Sequence, residues 1–316
     1  MAIKGTQSIG TIPIDRAQII SMAVDESANI LYAVDEFGDR VFVIRGIELI
    51  GIVPTVGRNP RNVAVDPIKH LAYIVSMYKS RPLGEIEGNI LILNGTEVVG
   101  NLNLGRLALA QVVADPIGGY VYAGDISSKI VVLNGLQEVA RYDLKDSLYG
   151  MDVDMRTSRV YVFGFSQLSQ LNRGKFVETV KSNYQPFISP SLRVQPITGN
   201  VYVSDGYPPS PKGEVLGKGQ VRVFREMKRI SEIALGSGFT RLAIDSLNGN
   251  VYATSSHEKT MTIIHGNQVL KTINLGNYSD GIAVNLATGW VYLLTLSNGT
   301  VTVLGYPEKT KPYPYP

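Results

Sequence analysis

The chain predicts an all-β, seven-bladed β-propeller with four antiparallel strands per blade, and three observations carry that prediction. A Tyr follows an Asp, Asn or Gln by seven residues at seven places: Asp25/Tyr32, Asp66/Tyr73, Asp115/Tyr122, Asp154/Tyr161, Gln195/Tyr202, Asp245/Tyr252 and Asn285/Tyr292. Each polar anchor closes a short apolar run (MAVD, VAVD, VVAD, MDVD, LRVQ, LAID, IAVN), and each Tyr sits inside a second one (LYAV, AYIV, VYAG, VYVF, VYVS, VYAT, VYLL). The anchors lie 41, 49, 39, 41, 50 and 40 residues apart, the period of one propeller blade per repeat. Seven such repeats take up nearly all of the 316 residues. One repeat domain over residues 1–308 is therefore expected, followed by a Pro-rich tail at 309–316 (KTKPYPYP) of polyproline character.

Taken in order, residues 6–14 (TQSIGTIPI) read as an orphan fourth strand, similar to residues 97–104 (EVVGNLNL). The last repeat stops after a third strand at 300–304 (TVTVL). The N-terminal strand is expected to complete that blade, which removes an open edge and closes the ring. The second repeat shows the internal pattern. Residues 61–66 (RNVAVD) alternate and meet a turn at 67–70, and residues 71–76 (LAYIVS) form a β-branched and aromatic run, the signature of a strand. Residues 89–93 (NILIL), the pair Asn94-Gly95 and residues 96–104 then read as a hairpin, with a type I′ turn and positive φ at both central positions. Arg45-Gly46, Asn134-Gly135, Arg173-Gly174 and His265-Gly266 occupy equivalent places. Blade four is the weakest repeat, its third strand reading QLSQL at 167–171.

Composition narrows the function classes. A formal charge of +3 without any Lys/Arg block gives no support to nucleic-acid binding. The absence of Cys excludes disulfides, zinc–thiolate sites and thiol catalysis. No segment approaches the roughly 18–20 apolar residues that cross a bilayer as a helix. The start, MAIKGTQSIGTIPI, lacks the apolar core of a signal peptide, as in a cytoplasmic protein or one whose signal has been removed. The sequons at Asn94, Asn277 and Asn298 occur near the chance rate.

The repeat unit, V-D followed by x-N-x-V-Y-V-x and a later I-x-x-x-N-G, resembles the YVTN family of seven-bladed β-propellers over essentially the whole chain. A single Trp, Trp290, and no Gly-His…Trp-Asp signature separate it from WD40 and kelch repeats. The resemblance implies the fold and, because the group includes surface-layer and cell-surface propellers, favours an extracytoplasmic or cell-surface location. Related seven-bladed rings include lactone hydrolases and a streptogramin lyase. Two functions follow: a non-catalytic scaffold that binds a protein, a glycan or a neighbouring copy, or an enzyme of the lactone hydrolase or lyase kind at the channel mouth. No local motif matches the catalytic residues of those enzymes.

In a propeller the first strand of each blade lines the central channel. The loops leading into it, and those between strands two and three, share one face, and the tight turns share the other. The long intervals come from inserts at 77–87 (MYKSRPLGEIE) and 206–219 (GYPPSPKGEVLGKG), and the approach to blade five, 183–191 (NYQPFISPS), carries aromatics between prolines. Exposed Tyr, Phe and Arg on stiffened loops are interface material. The expected binding residues are Tyr78, Arg81, Tyr184, Phe187 and Tyr207, with Arg193, Arg241 and His257 beside them.

The recurring Asp is read as a structural turn cap, since a repeat-wide residue has a repeat-wide job, and the recurring Tyr as an inter-blade packing residue whose hydroxyl seeks one partner. Four residues before each anchor stand Ser21, Asn62, Gln111, Gly150, Ser191, Arg241 and Gly281, a set expected at the channel mouth. Two residues before it stand Ala23, Ala64, Val113, Asp152, Arg193, Ala243 and Ala283. Asp152 and Arg193 are expected to form an ion pair between blades four and five, because a lone charge there is unfavourable. Arg61, Arg193 and Arg241 then make the entrance mildly basic. His70 and His265 fall in tight turns without a partner suited to catalysis, and no His-x-x-x-His or Glu-x-x-His spacing occurs. Asp35, Glu36, Asp39, Asp125 and Asp205 form no Asp-x-Asp-x-Asp-Gly loop, so neither a metal nor a cofactor is expected.

Overall fold

The structure, a computed structural model, describes residues 7–14, 17–56, 58–79, 85–181, 191–205, 218–238, 240–255, 257–277, 279–295 and 299–305. Among these, 28 strands form seven four-stranded antiparallel sheets. Six sheets run in sequence order from the channel outward. The seventh is composite: β1 (Gln7–Pro13) pairs antiparallel with β28 (Thr300–Gly305), outside β27 (Trp290–Thr295) and β26 (Gly281–Asn285). The N-terminal strand thus closes the ring as expected, with Ile12 and Ile14 buried between blades seven and one. The Pro-rich tail lies outside the described residues, and no helix of the described residues is long and apolar enough to cross a membrane.

The core is distributed. Seven apolar clusters each fill the space between two neighbouring blades, because most middle strands are apolar on both faces. Tyr32, Tyr122, Tyr202 and Tyr292 are among the largest fully buried side chains, and their hydroxyls staple one blade to the outer hairpin of the next. The Tyr32 and Tyr122 oxygens accept the N–H of Gly95 (2.9 Å) and Gly174 (2.8 Å). Tyr202 and Tyr292 donate to the carbonyls of Gly266 (2.8 Å) and Gly46 (3.3 Å).

All seven anchors cap the turn that follows them. Asp66 accepts the N–H of Ile68 and Lys69 at 3.0 Å each. Gln195 takes that of Ile197 at 2.6 Å and Asn285 those of Ala287 and Thr288 at 3.0 and 3.2 Å. Asp25, Asp115, Asp154 and Asp245 do the same. Four residues past each anchor the chain takes positive φ, at Asn29, His70, Gly119, Ser158, Gly199, Gly249 and Gly289. Gly holds that conformation without strain. The non-glycine occupants each reach back to the anchor of the preceding blade: Asn29 to Asn285 (2.7 Å), His70 to Asp25 (2.9 Å) and Ser158 to Asp115 (3.1 Å).

Two local expectations are corrected, and one contact is added to them. The outer hairpins of blades one, two, three and six turn on Gly46, Gly95, Gly135 and Gly266, where φ is positive only at this first central position. That is a type II′ pattern, with Arg45, Asn94, Asn134 and His265 ending the strand instead of entering the turn. Blade four does have positive φ at both Arg173 and Gly174. The insert at 77–87 is not all loop, for β7 (Leu71–Lys79) and β8 (Ile86–Asn94) continue their ladder through Met77↔Gly88, Tyr78↔Glu87 and Lys79↔Ile86. And His70 has a carboxylate partner, Asp25, with the Ser27 oxygen 3.4 Å from the same Nδ1. This is no catalytic triad, in which acid and serine use opposite ring nitrogens. Ser27 instead donates to Asp25 (2.8 Å) and to the Pro67 carbonyl (3.1 Å).

Candidate binding site at the channel mouth

The inner strands place their side chains in layers along the channel. All seven residues four before the anchors line one cavity of about 430 Å³ on the loop-rich face. All seven residues two before the anchors line a second cavity of about 270 Å³ toward the tight turns. The layering follows from strand periodicity: alternate residues of every inner strand point to the same side.

Arg61, Arg193 and Arg241 all line the upper cavity, as expected for a basic entrance. Their surroundings differ. Arg61 pairs with Glu36. Arg193 donates from Nη1 to the carbonyl of Leu192 at 2.7 Å. Arg241 is half-buried; burial and then the charge of Arg193 hold its guanidinium below its usual pKa, against the opposing pull of Asp280. Inner strands are also laced side chain to backbone, with Ser21 accepting the N–H of Val63 (3.2 Å) and Ser191 that of Leu242 (3.3 Å).

The Asp152–Arg193 ion pair is corrected. Among the described residues the two form no salt bridge; Asp152 instead accepts the N–H of Val194 across the interface at 2.8 Å. Burial pushes the Asp152 carboxyl up, while the Arg193 charge and the Val194 and Val153 N–H groups pull it down. The two side chains share the lower cavity and interact through space. A backbone donor lies closer to the carboxylate than a guanidinium that must also reach the mouth.

Of the other expected binding residues, Arg81, Tyr184, Phe187 and Tyr207 lie outside the described residues, and Tyr78 is placed only as part of β7. His257 is exposed in a turn and does not line the mouth. Two contributors went unread in the sequence, Tyr149 and Asp280, both lining the cavity. They stand five residues before their anchors, in the same column as Arg61. Tyr149 packs obliquely on Phe165, ring centroids 6.5 Å apart. The carboxylates weighed as cation ligands are engaged separately: Asp35 by Gln18 N–H (3.0 Å), Gly38 N–H (3.1 Å) and Arg40 (2.8 Å), and Asp39 by Asn59 N–H (2.8 Å). Among the described residues no cluster of three metal-ligating side chains occurs.

No family model and no curated protein matches the chain. Solved structures do. It is similar to the β-propeller domain of Cps50 (Swd1) from Myceliophteria thermophila, with TM-score 0.69, 9% identity, and coverage of 95% of this chain and 99% of that one. It is also similar to a chain of a mitotic checkpoint complex, with TM-score 0.73, 8% identity and 96% coverage of each. In all, 1369 solved chains match, so the likeness establishes the propeller and singles out no relative. The resemblance to YVTN repeats remains one of repeat pattern.

Proposed function

We propose that this protein is a non-catalytic propeller scaffold that binds a protein partner on its loop-rich face, around the channel mouth. The observation that carries the reading is the convergence of Arg193, Arg241, Tyr149, Asn62 and Gln111 from five different blades on one open cavity. A rigid ring presenting Arg, Tyr and amide groups in a concave site is the composition of a binding surface. The alternative, hydrolysis or elimination at the same mouth, requires a general acid and base beside oxyanion donors. Among the described residues the cavity lining supplies donors and one carboxylate, Asp280, and includes no imidazole. Both similar structures named above come from multiprotein assemblies or propeller domains, which agrees with the reading at the level of fold. A glycan or a second copy would use the same face and is distinguished by the same experiment.

A photo-crosslinking residue placed at Tyr149, on the mouth, should trap a protein partner in cells that express the chain. The same probe at Ile117, on the tight-turn face, should not. Adducts from position 117 in place of 149 would overturn the assignment.

A further inference from the structure

Resting on that reading of the loop-rich face, we propose that the channel mouth is a carboxylate-recognition site, in which Arg193 and Arg241 hold the acidic side chain of a bound peptide segment. The two guanidinium groups belong to inner strands of adjacent blades and open into the same 430 Å³ cavity, roomy enough for one side chain and its flanking backbone. Among the described residues Arg193 makes one hydrogen bond, to the carbonyl of its own neighbour Leu192, and no salt bridge. Its remaining N–H donors form the planar fork that matches a carboxylate at two points.

Charge selects the ligand class. Arg61 is matched by Glu36, and Asp280 acts on Arg241. Asp152 lies one layer deeper, where it is already bonded to Val194 and where burial disfavours its charged form. Within the mouth layer itself the arginines Arg61, Arg193 and Arg241 outnumber the carboxylates Glu36 and Asp280 by one, which favours a monoanionic carboxylate over a phosphate dianion. A carboxylate between the two arginines also relieves the repulsion between them. On the opposite wall the side-chain amides of Asn62 and Gln111 face the cavity and have no hydrogen-bond partner among the described residues. They supply donors and acceptors for the backbone on either side of an inserted acidic residue.

The test is calorimetric or NMR titration of the full chain with four probes: acetyl-Gly-Glu-Gly-amide, its Gln counterpart, succinate and inorganic phosphate. The Glu peptide should bind about 10-fold more tightly than the Gln peptide or more. Arg193→Lys, which keeps the charge and loses the fork, should reduce that preference about 10-fold. Because Arg193→Ala alone removes the guanidinium that interacts with the buried Asp152, the paired variant Asp152→Asn with Arg193→Gln removes both ionisable groups together and should abolish the preference while remaining folded. Equal binding of Glu and Gln peptides, an unchanged preference in both variants, or tighter binding of phosphate would each overturn the proposal. Succinate matching the Glu peptide would support the carboxylate site and overturn a peptide as its source. Failure here is separable from failure of the scaffold reading: crosslinks at position 149 that persist in the paired variant mean the face binds by other chemistry.

Discussion

The two ends of the channel are built by the same seven strands and have opposite characters. The tight-turn end is stereotyped: in every blade the anchor caps the turn and a left-handed residue follows. Its rim is apolar, with Ile68, Ile117, Ile197 and Leu247 between 53% and 61% exposed. Its ionisable groups include Glu26, whose carboxyl is pushed up to about 7 by burial first and by the charges of Asp245 and Asp25 next. The loop-rich end repeats nothing except position. Its column of Ser21, Asn62, Gln111, Gly150, Ser191, Arg241 and Gly281 differs from blade to blade, and its charge is carried by arginines. Backbone geometry dictates the residue where a turn must close, and leaves it free where a strand merely begins. Individuality, and with it recognition, collects at the free end.

Both ends presuppose a closed ring, so the largest effect is expected from opening it. Deleting residues 1–14 removes the outer strand of the composite blade and uncovers Ile12 and Ile14, which are 2% and 0% exposed. Each contributes about 1.5–3 kcal/mol by burial, and the ladder to Thr300–Gly305 is lost as well. Calorimetry should show a melting temperature at least about 10 °C lower or loss of the cooperative transition; an unchanged melt contradicts the closure.

A sharper comparison lies within one strand. Asp66 and Asn62 sit at opposite ends of β6 (Pro60–Asp66). Asp66→Ala removes a charged acceptor from two turn N–H groups and should destabilise by about 2 kcal/mol. Asn62→Ala, at the mouth, should stay within about 0.5 kcal/mol. Denaturant titration measures both, and equal values would erase the distinction between a dictated and a free end.

Glu26 gives the tight-turn end a pH signature. Its folded pKa lies above the ordinary glutamate value, so the folded state holds the proton more tightly and stability falls as pH rises from about 4.5 to 7. Above that window the penalty is fully present; below it there is none. Glu26→Gln should therefore stabilise by about 1–2 kcal/mol at pH 8, allowing for partial solvent screening, and by almost nothing at pH 4. A gain independent of pH would show that the carboxyl is not held neutral. A modest effect is expected at the blade-to-blade staples. Tyr32→Phe leaves the Gly95 N–H without its 2.9 Å acceptor and should lower stability by about 1 kcal/mol at unchanged fold.

The anchor and Tyr columns are legible in the chain because the same local demands recur in each blade. A capped turn requires Asp, Asn or Gln, and a gap between two apolar sheets requires a large ring with one polar tip. The layering of the mouth is legible for the same reason, since strand periodicity alone sends residues four before the anchors to one level. The turn type of the outer hairpins is less so: an Asn-Gly pair suits a turn centred on both residues, and the strand register placed only Gly46, Gly95, Gly135 and Gly266 inside it. Tyr149 and Asp280 escape notice because their column, five before the anchor, holds a different residue type in each blade.

The sequence by itself determines the number of blades, the strands within them, the seam that closes the ring and the residues of each channel layer, all of which follow from contacts local to a repeat or from its period. Tertiary structure alone decides which charges meet. Asp152 faces Arg193 across a blade interface yet takes a backbone N–H from Val194, and Arg193 is left beside Arg241 at the mouth. Those outcomes depend on rotamers and distances of an ångström or two between separate blades. Electrostatic and hydrogen-bond energies change steeply over such distances, and no pattern along the chain records them.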